Sequence, residues 1–461
     1  MVLLGVTSKP RTVHRSLLFA DRAIQFGSPL SASQHLLKVV DYFPWRIDLL
    51  EKAGQYAIQG SDLQHGVEIL QNVAQSKRLT PASQLAIGDA ALGQDDPGLA
   101  IKTWQKSLQA GGNPAQIYPR LVQANRNIMN LDAAIDNLEK LTNIRPRDAG
   151  LVYQLGLFYA AKDPEIAIRY LERAIQIEPN LQSQIQPLRR RLRTALLADS
   201  DAYALLVAGR ELASLDQWDL AAYAFSQAVH TQPDYAEAWA FLGEAKQHLS
   251  SSKIFESLPI KDLQKALTLN PDSIAANTLM SLYYQRQDQY DLALVYLHAS
   301  ATQDPDNPAL KVEIGNTLAQ IGEIDLAKKY YQKAVEVAPN DPVYWRALAN
   351  FSVTYELEVR EIGLPAARQA VILDASNPSS LDVMGRVFTI LDDPLSAHRF
   401  LDRALRLDPG YAPARLHLGI LYLSEGNSAS AHEHISLAKS LSAPGTPISQ
   451  QASRLLDRYF P

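Results

Sequence analysis

Pro233-Asp234-Tyr235-Ala236-Glu237-Ala238-Trp239-Ala240-Phe241-Leu242-Gly243 begins with a turn and passes directly into a helical pattern. A proline in Pro233's place cannot lie inside a helix without removing a backbone hydrogen bond and clashing with the turn before it. Beyond it, Trp239, Leu242 and Gly243 fall at helical spacing, so they share one face. A second stretch, Ala334-Val335-Glu336-Val337-Ala338-Pro339-Asn340-Asp341-Pro342, closes a helix with the same proline. The two belong to one register. Pro271, Pro305 and Pro339 stand 34 residues apart, and Pro10, Pro44, Pro146 and Pro409 keep close to multiples of that step. Between the prolines, small and large residues return in phase. An alanine recurs at Ala32, Ala100, Ala134, Ala167, Ala221, Ala293, Ala327, Ala397 and Ala431, followed four positions on by a bulky apolar residue such as Leu36, Trp104, Leu171, Phe225, Tyr331, Leu401 or Ile435. A fixed period of roughly 20 to 50 residues marks a repeat array whose units bury their apolar faces on one another.

Two helices fit in each period. Asp96-Pro97, Asp163-Pro164 and Asp393-Pro394 mark the start of the second, with Asp as cap and Pro at the first helical position. Gly54, Gly88, Gly156, Gly209, Gly243, Gly315, Gly385 and Gly419 fall near the eighth position of the first helix. This reading sets them opposite the recurring alanine of the second helix, so that paired helices approach closely. A further alanine, at Ala174, Ala228, Ala266, Ala334, Ala370, Ala404 and Ala438, stands where the next period's first helix presses.

With these residues in place, the chain resembles the tetratricopeptide repeat (TPR) family over nearly its whole length. The resemblance implies an all-α fold, a right-handed superhelical solenoid of about twelve helix-turn-helix units: 11–44, 45–78, 79–112, 113–146, 147–179, 200–233, 234–271, 272–305, 306–339, 340–375, 376–409 and 410–443. Residues 1–10 form an N-terminal extension. Residues 180–199 make one extra linker helix, with Ile185, Leu188, Leu192, Ala195 and Leu196 as its apolar stripe. That helix would part a five-unit lobe (11–179) from a seven-unit lobe (200–443), and 444–461 would close the array as a capping helix. Insertions lengthen two units, at Ser250 to Phe255 and at Glu356 to Gly363, and Phe255 is a candidate contact in the first.

Composition narrows the function classes. The 461 residues carry a formal net charge of −5, without a global pull toward nucleic acid or anionic membrane. There is no cysteine, which excludes disulfide scaffolds, thiol catalysis and cysteine metal sites. The apolar opening Met1 to Val6 is too short for a signal sequence, and no segment reaches the roughly 20 apolar residues of a membrane helix. The expected location is cytoplasmic, or extracytoplasmic if an N-terminal anchor has been removed. No phosphate loop, nucleophile elbow or zinc-protease motif occurs. His432 and His434 are two apart, which points them to different sides of a helix, and Asp304-Pro305-Asp306-Asn307 reads as a turn at a unit boundary. No cofactor, metal or catalytic residue is expected.

The resemblance implies a binding surface instead. In the family the first helices line a concave groove, and positions 2, 5, 9, 12 and 13 meet an extended peptide or a partner's helix. Position 9 holds Asn316, Asn350, Arg386 and Ile420 in successive units and Arg210 earlier, with Arg346 one turn before Asn350. The carboxamides of Asn316 and Asn350 are suited to a peptide backbone. A chaperone-type carboxylate clamp does not fit, because the required later positions hold Val383, Pro413 and His417. Arg189, Arg190, Arg191 and Arg193 crowd the linker helix, as a solvated face or as a patch for an acidic protein or nucleic acid. The leading expectation is a non-catalytic interaction scaffold with a peptide or protein partner. The alternative is the repeat portion of a larger membrane-anchored or enzymatic system, of the glycosyltransferase or envelope-assembly kind. Because solenoid units contact mainly their neighbours, residues 182–461 are expected to fold alone as a helical product, and expression of that fragment as an aggregate would contradict the boundary.

Overall fold

The computed structural model describes residues 2–249 and 258–460, so the candidate contact at Phe255 lies outside the described residues. Among these residues every regular element is helical. Consecutive helices pack in pairs, as the 34-residue period requires. The chain forms two compact units, residues 1–265 and 266–461.

In the first unit the pairs are α1 (Val2–Gln25) with α2 (Pro29–Tyr42), α3 (Ile47–Gln59) with α4 (Leu63–Ser76), α5 (Pro81–Gly93) with α6 (Pro97–Gln109), α7 (Pro114–Asn127) with α8 (Leu131–Ile144) and α9 (Ala149–Lys162) with α10 (Pro164–Ile177). The extra helix α11 (Gln182–Leu196) follows, then α12 (Asp201–Ser214) with α13 (Trp218–Thr231), and α14 (Ala236–Gln247) against α15 (Pro259–Leu269). The second unit holds α16 (Ile274–Gln285) with α17 (Tyr290–Gln303), α18 (Pro308–Gln320) with α19 (Ile324–Val337), α20 (Pro342–Thr354) with α21 (Leu364–Leu373), α22 (Pro378–Ile390) with α23 (Pro394–Leu407), α24 (Ala412–Ser424) with α25 (Ser428–Leu441), and the closing α26 (Pro447–Tyr459). The first helix starts at Val2, upstream of Pro10, so Pro10 does not begin it.

Local chemistry sets the ends. Asp96 and Asp393 accept the amides of Leu99 (2.9 Å) and Ser396 (3.0 Å), as their position before proline predicts. Two or three residues after many of the first helices the backbone turns left-handed, at Asp95, Asp216, Asp288 and Asp392, and this αL cap brings the following amide back to a helical carbonyl, as in Gln217 N–H to Leu212 C=O at 2.9 Å. The insertion after α20 is absorbed by one π-helical turn, Val359–Gly363.

The glycines have a different partner from the one their register suggests. A Cβ on Gly54 would lie 2.7 Å from Leu70, on Gly385 2.6 Å from Leu401 and on Gly419 2.6 Å from Ile435. Gly88 and Gly209 meet the rings of Trp104 and Phe225 in the same way. Each glycine therefore makes room for the bulky residue of the second helix, while the recurring alanine sits alongside with its carbonyl, as that of Ala397 does 3.4 Å from where a Cβ on Gly385 would lie.

Extra helix α11 is not a loose joint. Ile185, Leu188 and Leu192 are buried in one apolar cluster that runs from Val122 in α7 to Ala245 in α14. Helices α12 and α13 also pack directly on α9. Arg126 at the end of α7 stacks over Phe158 of α9 and pairs with Asp219 of α13.

A buried carboxylate joins α3 to α5. Glu51, 3% exposed, takes hydrogen bonds from Thr80 N–H (2.7 Å), Thr80 Oγ1 (2.6 Å) and Ser83 Oγ (2.5 Å) and an ion pair from Lys77 (2.6 Å). Burial pushes this carboxyl up, but the Lys77, Ser83 and Thr80 hydrogen bonds together outweigh it and hold the pKa at about 2 against an ordinary 4.5. A depressed folded-state pKa contributes stability that is present above the ordinary value and lost as pH falls toward the folded one. Glu51→Gln is expected to cost about 1–3 kcal/mol at neutral pH, and the gap in denaturation midpoint from the parent should close as pH is lowered to about 3 and below. A gap that does not change with pH would remove the ionised Glu51 from this account.

Candidate functional site

In the second unit the first helices α18, α20, α22 and α24 lie side by side, each packed on the next, and α26 packs on α24. Their ninth positions line two adjoining clefts. One, of about 340 Å3, is bounded by Val312, Asn316, Gln320, Asn350, Thr354 and Tyr355. The other, of about 490 Å3, is bounded by Thr354, Arg386, Ile390, His417, Ile420 and Gln451. Thr354 belongs to both.

The predicted polar residues are present, but they are engaged. Arg386 donates from Nη1 to Asn350 Oδ1 at 2.8 Å and reaches Thr354 Oγ1 at 3.5 Å. Asn316 Oδ1 accepts the hydroxyl of Tyr331, the bulky residue packed against Gly315. Asn316 also donates to Glu313, which offsets part of the upward push that burial gives that carboxyl. Arg346 turns to Ser380 Oγ at 3.3 Å and does not join Asn350. Arg210 lies in the first unit, its guanidinium 5.2 Å from the centre of the Phe241 ring.

Similar bonds cross from one first helix to the next, about one period apart. Ser379 meets the Tyr411 hydroxyl at 2.9 Å, Asp382 meets His417 Nδ1 at 2.7 Å, and Gln285 donates to Thr317 at 3.0 Å. Such rungs fix the spacing of the helices that form the groove floor. The floor is thus held before any ligand arrives, and a preformed surface loses less ordering entropy on binding.

Several residues of the two clefts escaped the sequence reading, among them Val312 at the fifth position of α18 and Tyr355 just past the end of α20. Gln320, Thr354 and Ile390 stand at the thirteenth position of their helices, one of the family's contact positions, and that signal was there to use. Gln451 has no such signal, because it depends on how α26 docks. On α11, Arg189 and Arg193 both pair with Glu172, and Arg191 pairs with Glu211 at 2.9 Å.

His432 packs on Phe460 and His434 on Tyr422, so the two rings diverge. Among the described residues no group of three or more His, Asp or Glu is placed to hold a metal ion, and no helix is long and apolar enough to cross a membrane.

A sequence model described as Tetratricopeptide repeat matches residues 284–351, from the end of α16 to Phe351 of α20. A curated Drosophila melanogaster protein, the BBSome complex member BBS4 homolog, is 21% identical over 324 residues, covering 68% of this chain; the chain spans 62% of that relative's length. Among solved structures, one chain of the APC/C hetero-tetramer Cut9-Hcn1 gives a TM-score of 0.40 at 15% identity, covering 97% of this chain and 96% of that one. Yeast Tom70 gives 0.34 at 15% identity, covering 82% and 95%. With a matched repeat segment from α16 to α20 and the same glycine-to-bulky contact in helix pairs before and after that segment, the chain carries tetratricopeptide-type repeats.

Proposed function

We propose that the chain is a non-catalytic scaffold that holds an extended segment of a partner protein in the groove of its second unit. The observation that carries this reading is the pair of adjoining clefts that share Thr354 and are floored by Asn316, Asn350, Arg386 and Ile420. Ligand sites are concave, mostly apolar, and carry a few polar groups that fix orientation. Here the apolar contribution comes from Val312, Tyr355, Ile390 and Ile420, and the polar one from the carboxamides of Asn316, Gln320, Asn350 and Gln451 together with Thr354, Glu356, Arg386 and His417. The carboxamide oxygens of Asn316 and Asn350 each accept one hydrogen bond within the floor and keep a second lone pair, which a peptide N–H can reach without selection of its side chain. The name of the Drosophila relative, a complex member, is in keeping with work inside an assembly.

Thr354 is the place to test this. Asn350 is unsuitable, since its removal would leave Arg386 without its partner. Thr354 is exposed and closes the last turn of α20. Thr354→Trp is expected to shift stability by less than about 0.5 kcal/mol while blocking both clefts. Partners captured by the parent chain should crosslink to α18, α20, α22 and α24 and be lost from the variant. Capture that survives Thr354→Trp, with crosslinks mapping elsewhere, would contradict the groove reading.

A further inference from the structure

We infer that the surface around α11 and α12 in the first unit is a second docking site, one that takes an acidic peptide segment carrying an apolar residue. A cleft of about 420 Å3 lies between the two helices, lined by Arg190, Arg191, Tyr203, Val207, Arg210 and Glu211. Adjoining it along α11, a second cleft of about 410 Å3 is lined by Arg189, Arg190, Arg193 and Leu197. Arg190 is common to both.

Charge is the first argument. Five arginines on these clefts face two carboxylates, Glu172 and Glu211. Those two engage Arg189, Arg193 and Arg191. Arg190 is exposed and has no ion pair among the described residues, and Arg210 is held by the face of Phe241 without a carboxylate. Stacking on a ring fixes a guanidinium plane and leaves its in-plane donors open, and that fork matches a carboxylate bidentately. The excess is local, because the chain as a whole carries −5. Apolar surface is the second argument. Leu197 is 85% exposed at the rim of the second cleft, beside Arg190 and Arg193, and Tyr203 is 40% exposed in the first.

The same features favour a peptide over a nucleic acid. A phosphate chain carries a charge at every step and would meet Glu172 and Glu211 within the patch. A peptide can set carboxylates against Arg190 and Arg210 and lay an aliphatic side chain on Leu197.

The test uses the full chain and fluorescence anisotropy with four labelled probes: a short synthetic peptide of glutamates interspersed with leucines, the same peptide with lysine for glutamate, an all-glutamate peptide, and a single-stranded oligonucleotide. The glutamate-leucine peptide should bind, the all-glutamate peptide more weakly, and the lysine peptide not at all. Arg190→Glu with Arg210→Glu should weaken binding by about tenfold or more, and Arg190→Gln should give a smaller loss, with helical content unchanged. Thr354→Trp should leave this affinity as it is, which separates this site from the groove of the second unit. Failure of the glutamate-leucine peptide to bind, equal or tighter binding of the oligonucleotide, or unchanged affinity in the arginine variants would each overturn the inference.

Discussion

The contact between a glycine of one helix and a bulky side chain of its partner is the constraint from which the rest of the structure follows. Where the ring of Trp104 or Phe225, or the branched end of Leu401, lies against the glycine of the first helix, there is no room for even one added carbon. Interiors are close-packed, and inserted volume in such a place forces shifts that typically cost about 1–3 kcal/mol. The contact fixes how near the two helices of a pair come and how far one is slid along the other. Repetition from Gly54 to Gly419 gives many of the pairs the same geometry. Alanines buried on the far side of the second helix, such as Ala174, Ala334 and Ala404, then let the next pair sit equally close.

Once the pairs are alike, the exposed faces of α18, α20, α22 and α24 in the second unit form one floor. Polar residues on that floor sit about one period apart and bond to each other, as Asn350 does with Arg386 and Asp382 with His417. These bonds have two effects. They hold neighbouring pairs in register, and they leave the groove with a fixed shape and few charges to desolvate. The same logic explains why the exception matters. Extra helix α11 interrupts the alternation without interrupting the core, and it brings an arginine-rich face beside α12.

Much of this was legible in the residue pattern. The period, the helix pairs and the aspartate caps follow from spacing and from what proline, glycine and alanine permit, whereas the ninth-position residues are singled out only through the family resemblance. What could not be read were choices between neighbours that spacing leaves equal. Gly385 lies near both Ala397 and Leu401, and register alone does not say which of them fills the gap. Arg346 and Arg386 both flank Asn350 in the repeat frame, yet only Arg386 bonds to it, because Arg346 finds Ser380 on the next helix. Gln451 reaches the groove only through the docking of α26, and the burial of α11 on both sides depends on contacts between α9 and α12 that lie far apart in the chain.

The account depends most directly on the glycine contact, and a double-mutant cycle at Gly385 and Leu401, read by chemical denaturation, tests it. In an unconstrained helix interior glycine to alanine is favourable by roughly 0.5–1 kcal/mol. Here Gly385→Ala should instead destabilise the chain by about 1–3 kcal/mol. Leu401→Ala alone should cost about 2–5 kcal/mol through the cavity it leaves. Combined, the two should cost less than their sum by about 1 kcal/mol or more, because the added methyl then occupies vacated space. A stabilising Gly385→Ala, or two effects that add to within about 0.5 kcal/mol, would contradict the claim that this contact sets the geometry of the repeat.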